Sequence, residues 1–468
     1  MSRTWHICFA AGLLLGTTLG LDPAKVAAEP APPRAAVQTP TSFEKLTLPN
    51  GLVVLLNVDH RAPLVGYDLD FRGGSRVDPP GRRGMAVLMR HVLMHASTRH
   101  VREQDRGAIL ETLDVPKWTA EVRGNVDHTW LQAQVPAGAL ELALWLESDR
   151  LAFIEDGIDE DAVRKAIEET EREVGHLQDT IDARLDVALF GSVWGDGHPY
   201  GGFVNGPPEI AGVTPAEVRA RLRAWYGPAN VVLALSGDFD VALTRELCAQ
   251  HFGGIVGAAR PVRPPLPAAA LHGERRIRIE ADVDAPRVAL AWPTPAYFEE
   301  DDALLDVAAA ILAARLRQRL VVGAEVATDV AVTEVSRQAG SVFQLRMTLR
   351  AGHSAVEGLA AADQELAQLR AAEPPEGELR GIRLSLFTSS TTRLDRPLSR
   401  ALELAGAESA TGDPSRLSLG QATYLGATAA AVHRVAAAYL APDRRVVAEV
   451  VPTRGAPPNG RIVAENQP

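Results

Sequence analysis

Cysteine is almost missing from this chain. Only Cys8 and Cys248 occur in 468 residues, which excludes a disulfide framework and a cysteine-rich zinc module. Dense basic runs are absent too, and the formal charge is −11, so nucleic acid is excluded as a partner. Past the N-terminus no apolar run approaches the ~20 residues a membrane-spanning helix needs. Gly 39 and Pro 32 are too few for a collagenous or wholly disordered chain. What is present is enough apolar material for real cores: 46% hydrophobic against 23% charged residues. At ~100–200 residues per domain, the length predicts two or three domains.

The first residues read as an export signal. Arg3 gives a basic start, residues 7–21 form a short apolar stretch, and Val26-Ala27-Ala28 offers a small-residue cleavage site. Asp22, Pro23 and Lys25 end the stretch before it could span a bilayer. A signal peptide over 1–28, cleaved near Ala28, implies a periplasmic or secreted bacterial protein. Cleavage removes Cys8, and with Cys248 alone no internal disulfide can form. No lipobox cysteine stands by the cleavage site, so a lipoprotein is not expected.

Residues 29–41 (EPAPPRAAVQTPT) read as a Pro/Ala-rich tether. A first domain is expected over 42–258, a Pro-rich linker over 259–272, a second domain over 273–453 and a flexible tail over 454–468. Strand–turn–strand is predicted over 43–58 about Pro49-Asn50-Gly51, a strand over 65–71 and a helix over 85–95. Helical periodicity follows at 136–153 and 160–187. After the break PVRPPLP at 261–267 the pattern restarts. Strands are predicted at 275–281, 286–292, 326–334 and 340–350, and helices at 301–320 and 354–371. Residues 218–237 (VRARLRAWYGPANVVLALSG) are echoed by 432–451 (VHRVAAAYLAPDRRVVAEVV). Each is a helix ending in an aromatic, then a Pro, then an apolar strand, which argues for two related halves. The apolar stretch 303–316 suits either a core helix or a subunit contact.

Several stretches, taken in order, resemble the pitrilysin/insulinase family of zinc metallopeptidases, particularly small bacterial members akin to mitochondrial processing peptidase subunits. They are LPNGLVVLLNVDHRAPLV, FRGGSRVDPPGRRGMAVLMRHVLM, HPYGGFVNGPPEIAGVTPAEV, WYGPANVVLALSGDFD, GSVFQLRMTLRAGHS and AYLAPDRRVVAEVVP, spread over 43–452. The resemblance implies an α+β fold of two related metallopeptidase-type α/β domains. Each would be a mostly antiparallel sheet packed with helices, the pair making half of a clamshell.

The family's zinc helix carries H-x-x-E-H, two ligands one turn apart and a glutamate that activates water. The corresponding residues are Val87-Leu88-Met89-Arg90-His91. Val87 has no donor atom, and Arg90 stays protonated and cannot serve as a base. The resemblance places the third ligand at Glu168 by spacing or at Thr170 by local helix pattern. Catalytic residues are therefore expected to be absent, with His91 and Glu168 left as remnants and no zinc cofactor except in a partner. His91 and His95 also stand four apart, with His100 nearby, but the sequence identifies no further ligand, and metal-free surface histidine pairs are common.

The Arg and Tyr with which active relatives grip substrate match Val321 and Thr328, and the family's substrate-lining edge motif matches Glu121-Val122-Arg123-Gly124. Scaffold positions persist: His198-Pro199-Tyr200, Tyr226, Pro228, Asn230 and Gly237-Asp238. Cys248, in a helical pattern, is expected to be packing and not a nucleophile. Glu168, Glu169, Glu171 and Glu173 are expected on a solvated face with Arg164, Lys165 and Arg172. The chain thus reads as a non-catalytic subunit of an exported protease, holding unfolded peptide for a zinc-bearing paralogue. The alternatives are a stand-alone peptide-binding or holdase-like protein, and an active metallopeptidase built on His91 and His95.

Overall fold

Leu52 to Leu56 and Val231 to Leu235 are nearly unbroken apolar runs, and both form strands inside a sheet where either face is covered. They belong to a computed structural model that describes residues 42–112, 121–195, 197–201 and 207–466. The expected signal peptide, its cleavage site, Cys8 and the tether lie outside the described residues.

The first half contains strands β1 (Glu44–Thr47), β2 (Val53–Val58), β3 (Leu64–Phe71), β4 (Glu121–Gly124), β5 (Thr129–Pro136) and β6 (Val231–Gly237). Its helices are α1 (Met85–His95), α2 (Glu103–Thr112), α3 (Leu140–Phe153), α4 (Glu160–Gln178), α5 (Ile181–Trp194), α6 (Pro215–Trp225) and α7 (Val241–Phe252). The second half has strands β7 (Arg275–Ala281), β8 (Arg287–Thr294), β9 (Ala327–Val335), β10 (Ser341–Leu349), β11 (Val446–Pro452) and β12 (Arg461–Asn466). Its helices are α8 (Asp302–Leu316), α9 (Ala355–Ala371), α10 (Glu376–Arg393), α11 (Pro397–Thr411), α12 (Arg416–Gly426) and α13 (Ala429–Tyr439). This is the α+β class the sequence implied. Among the described residues, no helix is long and apolar enough to cross a membrane.

The strands make two six-stranded sheets, ordered β1-β2-β6-β3-β5-β4 and β12-β7-β11-β8-β10-β9. Each is antiparallel except for one parallel neighbour pair, β2 with β6 and β7 with β11. The two echoed segments are α6–β6 and α13–β11, so the repeat seen in sequence delivers the equivalent parallel strand to each sheet.

Four segments differ from the sequence reading. The helix expected from 136 starts at Leu140, after a short 3₁₀ turn over 137–139. The helix expected over 160–187 is two helices, because Thr180 turns extended and its hydroxyl caps Ala183 N at the start of α5. The expected helix 301–320 runs as α8 to Leu316 and continues as a π-type turn over Arg317–Gly323. The expected flexible tail over 454–468 is in part ordered, since 461–466 pair with β7 as strand β12.

The halves exchange one helix each. Leu185, Leu189 and Val193 of α5 are buried in a cluster with Ile277, Ile279, Ala289, Val446 and Val450 on the second sheet. In return, Ala401, Leu404 and Ala405 of α11 close over Val53, Leu55, Val232 and Ala234 on the first. Gly66 of β3 permits this approach, since a Cβ there would sit 2.2 Å from Leu398 N and 2.3 Å from its Cα. The apolar stretch of α8 is a core element, with Leu305, Val307, Ala308, Ile311 and Leu312 fully buried among second-half residues.

Candidate functional site

Helix α1 is set in place by its own N-terminus. Gly84 adopts a left-handed conformation (φ 91°), and a Cβ there would meet Pro208 Cβ at 2.9 Å. The Asp78 carboxylate accepts from Gly84 N at 3.0 Å and Ala86 N at 2.9 Å, satisfying donors that the first turn leaves open. Met85, Leu88, Met89 and Val92 then face the core. Val87 is buried as well, and offers no donor atom where a first zinc ligand would be needed.

Arg90 and His91 emerge half-buried towards α4. Arg90 Nη2 lies 2.6 Å from Glu173 Oε1, and His91 Nε2 lies 3.0 Å from Glu173 Oε2. Burial alone would raise the Glu173 carboxyl, but hydrogen bonds from His91 and Arg90 and the Arg90 charge outweigh it and bring it to about 2. The arginine therefore occupies the general-base position as a cation held in an ion pair. Its stem runs beside the edge strand β4: a Cβ at Gly124 would lie 3.7 Å from Arg90 Cδ. These residues do not fit a hydrolytic zinc, which wants three protein ligands and an open position.

The carboxylates paired with His91 stand at neither of the two expected positions. Glu168 turns outward and pairs with Arg164 at 2.7 Å, while Thr170 is fully buried and donates to Ala166 O at 2.7 Å. Glu169 and Glu173 face α1 instead, so they leave the solvated face on which they were expected. Glu169 Oε2 lies 3.1 Å from His91 Nδ1 and 3.2 Å from His95 Nε2. A signal for this was present in the sequence. Val163, Ala166, Thr170 and Val174 make the buried stripe of α4, and at helical spacing 169 and 173 flank that stripe while 168 lies opposite. His100 is not part of the group, since its Nδ1 lies 2.5 Å from Asp149 Oδ1.

The two second-half positions, Val321 and Thr328, make only local contacts among the described residues. Val321 sits in the turn after α8, packed against the second core. Thr328 is exposed on β9 and donates to Thr348 O at 3.2 Å. Glu121 to Gly124 form the edge strand of the first sheet, where the motif comparison put them. Among the scaffold positions, Tyr200 Oη donates to Asp127 Oδ1 at 2.6 Å, and Asn230 Nδ2 donates to Trp225 O at 2.7 Å. Cys248 is fully buried, and burial pushes its thiol up to about 12, which suits packing and not nucleophilic attack.

Residues 212–386 match the family model described as Peptidase M16 inactive domain. No curated protein matches the chain in sequence. Among solved structures it is similar to a protease from Helicobacter pylori, at 20% identity over 88% of this chain and 100% of that one, with TM-score 0.79. A peptidase M16 inactive domain from Pseudomonas fluorescens is similar at 18% identity over 88% and 98% of the two chains, TM-score 0.78. The first half of the periplasmic protease PqqL from Escherichia coli follows at 16% identity over 88% and 92%, TM-score 0.71. Identities this low establish a shared fold, and the family model speaks for residues 212–386. Residues 212–386 are thus similar to the peptidase M16 inactive domain, and the described chain shares the fold of these M16-type structures.

Proposed function

We propose that this protein is a non-catalytic subunit of an exported pitrilysin-type metalloprotease, enclosing and positioning unfolded peptide for a zinc-bearing paralogue. One observation carries the reading: where the family's water-activating glutamate would stand, Arg90 is locked to Glu173 at 2.6 Å. A cation there repels a second cation and accepts no proton from water. The buried Val87 removes the first ligand independently. Export to the periplasm is supported by the likeness to a periplasmic protease and by the signal-like N-terminal sequence.

Peptide handling has a physical basis in β4. It ends the first sheet's strand order, and among the described residues no strand pairs with its outer side, where an extended peptide could add. Such pairing would orient a peptide towards a partner's metal. The same edge would serve a stand-alone peptide-binding protein, and affinity capture from the native periplasm separates the two readings. Recovery of a chain bearing H-x-x-E-H supports the subunit role; recovery of unfolded peptides without such a chain supports the other. The direct test incubates the purified protein with an unstructured polypeptide. No chelator-sensitive cleavage is expected, and EDTA-reversible digestion that follows this chain through purification would overturn the proposal.

A further inference from the structure

We infer that the last turn of α1 and the facing surface of α4 form a divalent-metal site distinct from the lost hydrolytic one. Its proposed ligands are His91 Nδ1, His95 Nε2 and a carboxylate oxygen of Glu169. These three donor atoms lie within 4.8 Å of one another, and no ion is needed to bring them together. The set uses His95, which lies outside the H-x-x-E-H register, and does not use position 87. It faces a cavity of about 130 Å³ lined by His91, His95, Glu103, Asp161, Lys165 and Glu169. That volume leaves room for an ion with water completing its coordination.

The second nitrogen of each imidazole points to the same conclusion. His91 Nε2 is held 3.0 Å from Glu173 Oε2, and that carboxylate is itself anchored by Arg90 at 2.6 Å. His95 Nδ1 lies 3.5 Å from Glu103 Oε1. A carboxylate behind a histidine fixes the tautomer that leaves the other nitrogen's lone pair free, the usual support of a metal-bound imidazole. His91 has that support as a hydrogen bond, Glu103 stands behind His95 at ion-pair distance, and both rings present the remaining nitrogen to Glu169. The rings lie nearly parallel, with centroids 6.4 Å apart, and the two nitrogens share one oxygen, Glu169 Oε2, at 3.1 and 3.2 Å. Two nitrogens and one carboxylate suit a zinc-type ion. Among the described carboxylates beside the site, Glu173 is tied to Arg90, Glu103 faces His95 and Lys165, and Asp161 pairs with Arg164 and Lys165, so none of these stands uncommitted as a base. The ion would therefore clamp α1 to α4, and it would not activate water.

The experiment uses the full chain, stripped with chelator and titrated with Zn²⁺ by calorimetry and with Co²⁺ by visible absorption. One ion per chain is expected, with a Co²⁺ spectrum of low-coordinate type and a rise in the thermal midpoint. Glu173→Gln should weaken binding by about 10–100-fold. His91→Ala, His95→Ala and Glu169→Gln should each weaken it more, and Glu168→Gln should leave it unchanged. His95 is partly exposed, so its variant keeps the test decisive if His91→Ala folds poorly. No stoichiometric binding, or binding indifferent to His95 and Glu169, would overturn the site and leave imidazolium rings bridging carboxylates. The readout involves neither proteolysis nor a partner chain, so its failure is separable from failure of the subunit reading.

Discussion

Exchange of α5 and α11 between the two sheets should make the protein unfold as one unit, and Leu404→Ala tests this directly. Leu404 is fully buried between α11 and the first sheet, against Val53, Leu55, Val232 and Ala234. Truncation removes three carbons from contact with that sheet. At about 0.8 kcal/mol per buried methylene, the transfer loss is about 2.4 kcal/mol. The residual cavity adds to this, for a total of about 3–4 kcal/mol. A domain with about 5–15 kcal/mol of stability survives the loss but melts earlier. Urea unfolding followed by hydrogen exchange and mass spectrometry would report β3 and β10 separately. The midpoints of both should fall together, although the sheet residues clustered with Leu404 all belong to the first sheet. Gly66→Ala attacks the same interface from β3 by driving a methyl into the Leu398 backbone, at a cost of about 1–3 kcal/mol or more. It too should lower β10 with β3. The reasoning is refuted if β3 destabilises while β10 keeps its wild-type midpoint.

Three further outcomes are expected. Asp127 joins Arg76 at 2.8 Å, Tyr200 Oη at 2.6 Å and Gln338 N at 3.2 Å, so Asp127→Ala strands the buried Arg76 charge and should cost about 3–5 kcal/mol in denaturant unfolding. Asp127→Asn, which keeps an acceptor, should cost visibly less. In a Cys8→Ser background, Cys248 should ignore a thiol reagent until urea unfolds the chain; rapid labelling of the native protein would contradict its full burial. Burial pushes the Glu334 carboxyl up to about 9, with Oε1 accepting from Thr294 Oγ1 at 2.5 Å and Oε2 buried without a partner. The native state then holds a proton that the unfolded chain releases above its ordinary value. This contribution to stability is full below the unfolded value and is lost as pH rises towards about 9. Glu334→Gln should remove that decline, so thermal midpoints of variant and wild type should diverge with rising pH; parallel profiles would refute the assignment.

Local rules made part of this molecule legible. The bounds of α1 follow from Gly84 and the apolar spacing of Met85, Leu88, Met89 and Val92, and its departure from H-x-x-E-H is read from two side chains, Val87 and Arg90. The boundary between α4 and α5 was hidden because no Gly or Pro interrupts residues 177–184, and Thr180 acts only through its hydroxyl. Glu169 and Glu173 could have been separated from Glu168 by the buried stripe of α4, but the stripe does not say which helix it meets. The destination of α11 was beyond local reading altogether. Ala401, Leu404 and Ala405 specify an apolar face, and either sheet could have received it.

The repeat shows where sequence likeness stops constraining structure. Both halves place an echoed helix–Pro–strand unit so that β6 and β11 lie parallel to β2 and β7, a central position covered on both faces. A central strand must satisfy two neighbours and two packed faces, so its apolar run and register persist in both copies. The outermost position beyond β2 and β7 needs only one neighbour. It is filled by β1, which precedes the first sheet's other strands, and by β12, which follows the second's. Any extended segment that leaves the chain beside that edge can satisfy one row of backbone groups. That weaker demand explains why 461–466 carry little sequence signal of a strand and still form one.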